Sequence, residues 1–429
     1  MEGIIDRDIF QTILSRIRDR EIIAIRGPRQ AGKSTLLKMI MEHLISTGIR
    51  EEEITSISFE DPVALDEFRK DPRKYLGSFI NGGSRHYFLL DEVQYDSDAG
   101  KRLKLLYDTM ENAKFFITGS STLDVSSLSK FLVGRVFLYE LLPLNFWEYL
   151  HYNDERLYRI FSKNTKSVRM FALGDAKDAT LDETSMQEIE RHFEDYLKFG
   201  GYPEVVKRDG MDRKVEVLKN IYSTYIEKDV AGVFGITDSF KLRKTVTALA
   251  AGIGSVLSYE SLSSYSETYY ASLMRYLNIL EDTYIIKRIF PYHKSRKVEL
   301  RKSPKVYFVD IGLRNYIIQN FNDIERREDA GHVLENFVFS ELFSRANPTM
   351  TINFWRTLAK AEVDFVISEA EKMLPIEVKY GISKPEIPRG FSSFIDTYAP
   401  KKAIVATRRF ISKKDAGNTN IVFVPAMFL

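Results

Sequence analysis

The sequence predicts an α/β chain: an N-terminal parallel sheet with helices on both faces, a helical middle, and a smaller C-terminal α/β domain. Three observations predict it. Residues 27–34 read Gly-Pro-Arg-Gln-Ala-Gly-Lys-Ser between an apolar run and a helical pattern. From residue 54 to residue 142, apolar β-rich runs alternate with helical patterns, as in a parallel sheet with both faces covered. After residue 330 the order is helix, three strands, helix, strand.

The bulk properties narrow the field. At 429 residues the chain exceeds one ordinary core, so two to four domains are expected. It is 44% hydrophobic and 28% charged, with a formal net charge of +2. Any nucleic-acid footprint must therefore come from local clusters. Cysteine is absent, which excludes disulfides, thiolate metal sites and cysteine nucleophiles and points to a reducing, cytoplasmic setting. Residues 1–8 carry Glu2, Asp6, Arg7 and Asp8, unlike a secretory leader. No apolar run approaches the ~18–20 residues that span a bilayer, so no membrane partner is expected.

The first element is the strand Glu21 to Arg26, and the helix Ser34 to Leu44 follows the loop. Strand, glycine-rich loop and helix put backbone N–H groups and a helix N-terminus around phosphate. Gly27, Pro28, Arg29, Gln30, Ala31, Gly32, Lys33, Ser34 and Thr35 form the expected nucleotide-binding loop. Lys33 would reach the β- and γ-phosphates, and the Ser34 hydroxyl would ligate Mg²⁺. Further strands are expected at Ile54 to Phe59, His86 to Leu90, Lys114 to Thr118 and Val136 to Leu142, with a helix at Gly100 to Met110.

Phe88-Leu89-Leu90 runs into Asp91-Glu92. That places carboxylates at the carboxyl edge of a parallel sheet, where ligands bind. Asp91 would hold Mg²⁺, and Glu92 would act as general base toward water. Thr118, Ser120 and Ser121 end the next strand, either to sense the γ-phosphate or simply as a turn rich in hydroxyl residues. Arg135 reads equally as an arginine finger, in its own chain or a neighbour's, and as a surface arginine.

GPRQAGKST, YFLLDEVQ, FFITGSS and LVGRVFLYELLPLNFWEYL together resemble the archaeal-type P-loop ATPases of the extended AAA-like group. In that group an additional strand separates the two phosphate-site strands, a place Ile54 to Phe59 would take here. The resemblance extends over the whole chain, because the later segments match a region that habitually follows this ATPase. It implies ATP binding and hydrolysis with Mg²⁺ and leaves the biological role open.

The middle is less regular. Tyr152 to Asp182 is polar and mixed and is expected to be an insertion or lid. Phe199-Gly200-Gly201-Tyr202-Pro203 reads as a hinge, and Ile221 to Val230 as a helix. Helical runs at Phe240 to Ile253, Tyr259 to Tyr265 and Ala271 to Leu280 precede strands at Tyr284 to Phe290 and Lys305 to Val309, the order of a winged helix. Between those strands stand His293, Lys294, Arg296, Lys297, Arg301 and Lys302, with Glu299 the one acid. As a wing that segment would touch DNA phosphate; the alternative is an internal winged helix used only for packing.

In the C-terminal segment a helix at Gly331 to Phe343 carries Glu335. Strands are expected at Thr351 to Arg356, Glu362 to Ile367 and Leu374 to Tyr380, then a helix at Ile387 to Tyr398 and a strand at Lys402 to Thr407. Glu377 and Lys379, two apart on a strand, share a face. A turn near Ala370 and Glu371 sets Asp364 opposite Glu377, and two facing carboxylates repel unless a cation binds between them. Glu335, Asp364 and Glu377 with Lys379 resemble the PD-(D/E)xK set of restriction-endonuclease-like folds, with Val363-Asp364 replacing the usual Pro-Asp. The resemblance implies a Mg²⁺ site on Glu335, Asp364 and Glu377, with Lys379 as the catalytic cation. The competing reading is a catalytically silent domain whose carboxylates are tied up in salt bridges.

The expected domains are a P-loop ATPase at 1–145, a helical lid at 146–235, a winged helix at 236–312 and a restriction-endonuclease-like domain at 325–429. The function that follows is a Mg²⁺-dependent ATPase coupled to DNA, with metal-dependent DNA cleavage as a further activity. The alternative is a nucleotide-dependent DNA- or protein-binding switch. Homo-oligomers are compatible with either.

Overall fold

The computed structural model describes residues 4–119, 130–175, 183–224, 238–293 and 302–429. The chain divides into two compact units. One holds Met1–Pro143 with Asp282–Tyr284, the other Leu144–Glu281 with Ile285–Leu429. The N-terminal unit has an α/β fold built on a parallel sheet, and the second unit joins a helical region to a mixed sheet.

The first sheet contains β1 (Ile22–Arg26), β2 (Ile54–Ser58), β3 (His86–Asp91), β4 (Ala113–Gly119) and β5 (Val136–Glu140). All neighbours run parallel, in the order β2-β3-β4-β1-β5. Successive side chains alternate between its faces. Ile22 and Ala24 pack on one side with Phe88, Leu90, Phe115 and Leu103. Ile23 and Ile25 pack on the other with Leu36, Leu37 and Ile40 of the helix Lys33–Ser46. The strand separating β1 from β3 is β4, not the Ile54–Phe59 segment. That segment forms the edge strand β2, which is only partly covered, as an edge allows.

In the second unit the expected lid is a regular helix, Glu155–Leu173, started by Asp154, whose side chain accepts the Leu157 N–H. Leu157, Phe161, Thr165 and Val168 are buried along one face. Spacings of three and four hidden among polar residues make that stripe. The Gly200–Gly201 turn, expected as a hinge, is hydrogen-bonded to segments on either side of it. Leu144 N–H donates to Gly201 O at 2.7 Å, and Gly201 N–H donates to Asp310 Oδ2 at 2.8 Å. A Cβ on Gly201 would stand 2.0 Å from Leu144 O, so glycine serves close approach there. The expected helix at 221–230 lies outside the described residues beyond Ser223 and Thr224.

Three helices, Ser239–Ala251, Tyr259–Ser266 and Tyr270–Asp282, precede a two-stranded antiparallel ribbon of β6 (Ile286–Ile289) and β7 (Lys305–Phe308). The basic residues Lys294, Arg296, Lys297 and Arg301 lie outside the described residues. Past β6 the chain bridges to the C-terminal sheet, where Phe354 N–H donates to Phe290 O and Tyr292 N–H to Phe354 O.

That sheet comprises β8 (Thr351–Arg356), β9 (Glu362–Glu369), β10 (Lys372–Lys379), β11 (Lys402–Thr407), β12 (Ser412–Ala416) and β13 (Thr419–Pro425) in the order β12-β13-β11-β10-β9-β8. The hairpin β9–β10 turns at Ala370, where φ is +52°. The helix Arg389–Tyr398 covers one face through Phe391, Phe394 and Ile395. The hairpin β12–β13, which the sequence reading did not anticipate, extends the sheet beyond β11. Among the described residues no helix is long and apolar enough to cross a membrane.

Candidate functional site

The phosphate loop joins β1 to the helix Lys33–Ser46. Gly27 lies against the chain leaving β5, where a Cβ would come 2.0 Å from Leu141 O. Gln30 and Gly32 adopt left-handed conformations, at φ +61° and +94°, and Gly32 is the helix N-cap. The Arg7 guanidinium braces the loop, donating to Ala31 O at 2.8 Å and to Leu142 O at 2.6 Å. Pro28, Ala31 and Lys33 are buried, Arg29 and Thr35 half-buried, and Ser34 exposed at the helix start.

The Lys33 ammonium donates to Gly27 O at 3.2 Å and to Pro28 O at 3.0 Å, and stands 3.9 Å from Glu92 Oε1. Burial lowers its pKa, against the nearby Glu92 and Asp91 carboxylates. Asp91 ends β3 at the level of Thr118 on β4. The Thr118 hydroxyl donates to Asp91 Oδ1 and accepts the Glu92 N–H at 3.0 Å. Glu92 is left-handed, at φ +56°, which turns its carboxylate toward Lys33 and lets it accept from the Gln94 amide. The structure thus gathers Lys33, Asp91, Glu92 and Thr118 at the carboxyl edge of the sheet. A glycine-containing loop at a helix N-terminus, an exposed hydroxyl at the helix start and a carboxylate facing the loop fit a nucleoside triphosphate with Mg²⁺.

Ser120 lies outside the described residues. Arg135 stands at the other edge of the sheet. Ile22 N–H, at the start of β1, donates to Arg135 O, and the loop begins five residues later, about 16 Å along the strand. Its Nε donates to Asp108 Oδ1 at 2.9 Å, and its guanidinium lies over the Tyr107 ring. Arg135 therefore does not belong to its own chain's phosphate site.

The C-terminal set is brought together, around a residue that was not expected there. The buried Lys305 ammonium of β7 lies 3.0 Å from Glu335 Oε1, 2.7 Å from Glu362 Oε1 and 3.5 Å from Asp364 Oδ1. Tyr307 OH donates to Glu335 Oε1 at 2.6 Å. The Asp364 carboxylate accepts the Val378 N–H at 2.8 Å, the Asp364 N–H donates to Glu377 Oε2 at 3.4 Å, and Lys379 Nζ lies 2.8 Å from Glu377 Oε1. Burial, with Asp364 alongside, pushes Glu377 up to about 8. Burial, with Glu335 alongside, pushes Asp364 up to about 6. Burial alone would lower Lys305, but its three carboxylates outweigh that and raise it. Lys305 and Tyr307 escaped the functional reading although the signal was present. Two apart on a strand, they share one face, and a lysine opening an otherwise apolar buried run needs anions beside it. Among the described residues, no group of three or more acidic or histidine side chains is arranged to hold a metal ion. Of the expected Mg²⁺ ligands, Glu335 and Asp364 lie against the Lys305 ammonium and Glu377 against that of Lys379.

Comparison with known proteins agrees with the first site. Residues 19–150 match the family model of an AAA domain. Residues 190–324 and 330–427 match two domains of unknown function, DUF8612 and DUF4143. An uncharacterized protein of Haemophilus influenzae is 25% identical over 434 residues, covering 99% of this chain and 98% of that protein. An uncharacterized protein of Methanocaldococcus jannaschii is 25% identical over 425 residues, covering 96% of this chain and 86% of its own. The structure of AMPPCP-bound DnaA from Aquifex aeolicus shares 16% identity over 66% of this chain and 89% of that one, at a TM-score of 0.28, too low to argue from. Residues 19–150 of the N-terminal unit are thus similar to an AAA domain, and the family models matching the remainder carry no assigned function.

Proposed function

We propose that this protein binds and hydrolyses ATP and uses the nucleotide state to regulate association with DNA. The observation that carries the first half is the convergence of Lys33, Asp91, Glu92 and Thr118 on one phosphate loop. Backbone N–H groups from Gly27 to Ser34 hold the phosphate oxygens, and Lys33 neutralises their charge. Mg²⁺, held by Ser34 and Asp91, would further neutralise the phosphates. Glu92 accepts a proton from the attacking water, and Thr118 fixes its backbone through the N–H.

Support for DNA is geometric and chemical. The helix Tyr270–Asp282 precedes the ribbon of β6 and β7, as a recognition helix would, and the sequence between those strands is rich in lysine and arginine. Tyr269 and Tyr270 are 86% and 60% exposed where that helix begins, and Arg275 is exposed one turn on. Aromatic and guanidinium groups together suit bases and phosphate. Because Lys305 occupies the acidic face of the nuclease-like segment, the proposal assigns that segment to binding and packing, not cleavage.

Lys33→Ala is expected to abolish binding of a fluorescent ATP analogue. Glu92→Gln is expected to bind ATP with Mg²⁺ and leave it unhydrolysed. Normal turnover in Glu92→Gln would remove Glu92 as the base.

A further inference from the structure

We infer that Lys305 is a built-in substitute for a divalent cation, so that the C-terminal carboxylate cluster is permanently neutralised from within the chain. An ammonium has three N–H donors. Here three carboxylates surround it, Glu335 at 3.0 Å, Glu362 at 2.7 Å and Asp364 at 3.5 Å. Magnesium draws its oxygen ligands to ~2.1 Å. Placed between Glu335 and Asp364, it would meet the ammonium almost in contact, cation against cation in a poorly solvated site. The residues therefore do not fit the metal unless Lys305 leaves.

Lys305 is not placed to leave. It is 1% exposed. β7 pairs with β6 on one side, where Ile289 faces Lys305. On the other side Val256 bridges to Lys305, Gly254 N–H donates to Val306 O at 3.1 Å, and Leu257 N–H donates to Pro304 O at 2.8 Å. Tyr307, two residues on, hydrogen-bonds the same Glu335 oxygen. Other basic side chains stand beside the cluster. Lys379 covers Glu377 at 2.8 Å, Arg356 lies 3.4 Å from Glu362, and His332 lies 3.5 Å from Glu335. The acidic residues that read as metal ligands instead fasten the ribbon to the C-terminal sheet. DNA cleavage by this cluster is then not an activity of the chain, whatever the nucleotide domain does.

The test is Mn²⁺ binding, followed by electron paramagnetic resonance on the full chain without nucleotide. The wild-type protein is expected to show no bound Mn²⁺ that Glu377→Gln removes, and no Mn²⁺-dependent nicking of plasmid DNA that Glu377→Gln abolishes. Either signal would overturn the proposal, and this arm needs no change at Lys305. Lys305→Ala leaves buried carboxylates without their counter-ion and is expected to unfold at lower temperature than wild type. Added Mn²⁺ should then raise its midpoint while leaving wild type unmoved, and the double variant Lys305→Ala, Asp364→Asn should lose that rescue. A folded Lys305→Ala protein that ignores Mn²⁺ would overturn the claim that ammonium and metal compete for one place. If Lys305→Ala does not fold, the wild-type arm decides.

Discussion

At the scale of single residues, Thr118 ties the nucleotide site together. Its hydroxyl reaches the Asp91 carboxylate and the Glu92 N–H at once, so it positions both the Asp91 side chain and the left-handed turn that aims Glu92. It is a positioning residue, not a catalytic one. Thr118→Val keeps the shape and removes the hydroxyl. Turnover is expected to fall about 10- to 100-fold, the range for groups that orient another ligand or base, with little change in the KM for ATP. Thr118→Ser should restore most of the rate. A role in packing alone would instead lower the unfolding temperature of Thr118→Val and leave kcat in place. The residues of the phosphate loop were legible in the sequence as a motif, because such a loop needs fixed types at fixed spacing. Thr118 was legible only as one of several hydroxyls near a strand end, since its partners lie 26 and 27 residues away, at the end of β3 and just past it. Lys305 was legible as a buried lysine in need of anions, but its partners Glu335 and Asp364, 30 and 59 residues away, were not.

At the scale of elements, strands and helices of the nucleotide domain followed from apolar periodicity, and so did the register of the β9–β10 hairpin. That register was fixed by a turn at Ala370 and Glu371 and by two-residue alternation. Strand order was not legible, because periodicity tells which face is covered and not which strand is the neighbour. The helix Glu155–Leu173 falls in the segment expected to be a helical lid, but its bounds were not legible, because its buried stripe includes Asn164 and Thr165 beside Leu157, Phe161 and Val168. Asp310 shows how elements far apart in sequence are joined. It caps the helix Ile311–Ile317 by accepting the Leu313 N–H at 2.8 Å and accepts the Gly201 N–H through its other oxygen. Burial pushes its pKa up to about 6 from an ordinary 3.8, more than those backbone donors pull it down. Folding therefore favours the protonated form. This contribution is complete below about pH 4 and is lost as pH rises through 6. Two pKa units correspond to roughly 3 kcal/mol. Asp310→Asn cannot ionise, so the stability of wild type relative to Asp310→Asn should decline by that order between pH 4 and pH 7 in urea unfolding. A constant difference across that range would show that Asp310 stays ionised in the folded protein.

At the scale of the whole molecule, the proposal joins a nucleotide site in one unit to a DNA surface in the other, and coupling of that kind obeys thermodynamic reciprocity. If bound ATP changes DNA affinity by some factor, DNA must change ATP affinity by the same factor. Glu92→Gln makes the measurement possible, because hydrolysis would otherwise drain the ATP-bound state. Fluorescence anisotropy with a short labelled duplex gives DNA affinity with and without ATP and Mg²⁺. Titration with a fluorescent ATP analogue gives nucleotide affinity with and without the duplex. The two factors are expected to agree and to differ from one, typically 5- to 150-fold for coupled sites. Tyr270→Ala and Arg275→Ala should weaken DNA binding in both nucleotide states while leaving nucleotide affinity without DNA unchanged. Loss of Arg275 should also reduce the slope of affinity against salt by about one phosphate contact. Binding that survives in both variants with an unchanged salt slope would move the DNA surface away from the helix Tyr270–Asp282. A factor of one from both directions would leave an ATPase whose nucleotide state does not reach its DNA surface, and the switch reading would be lost while the assignments of Lys33 and Glu92 stood.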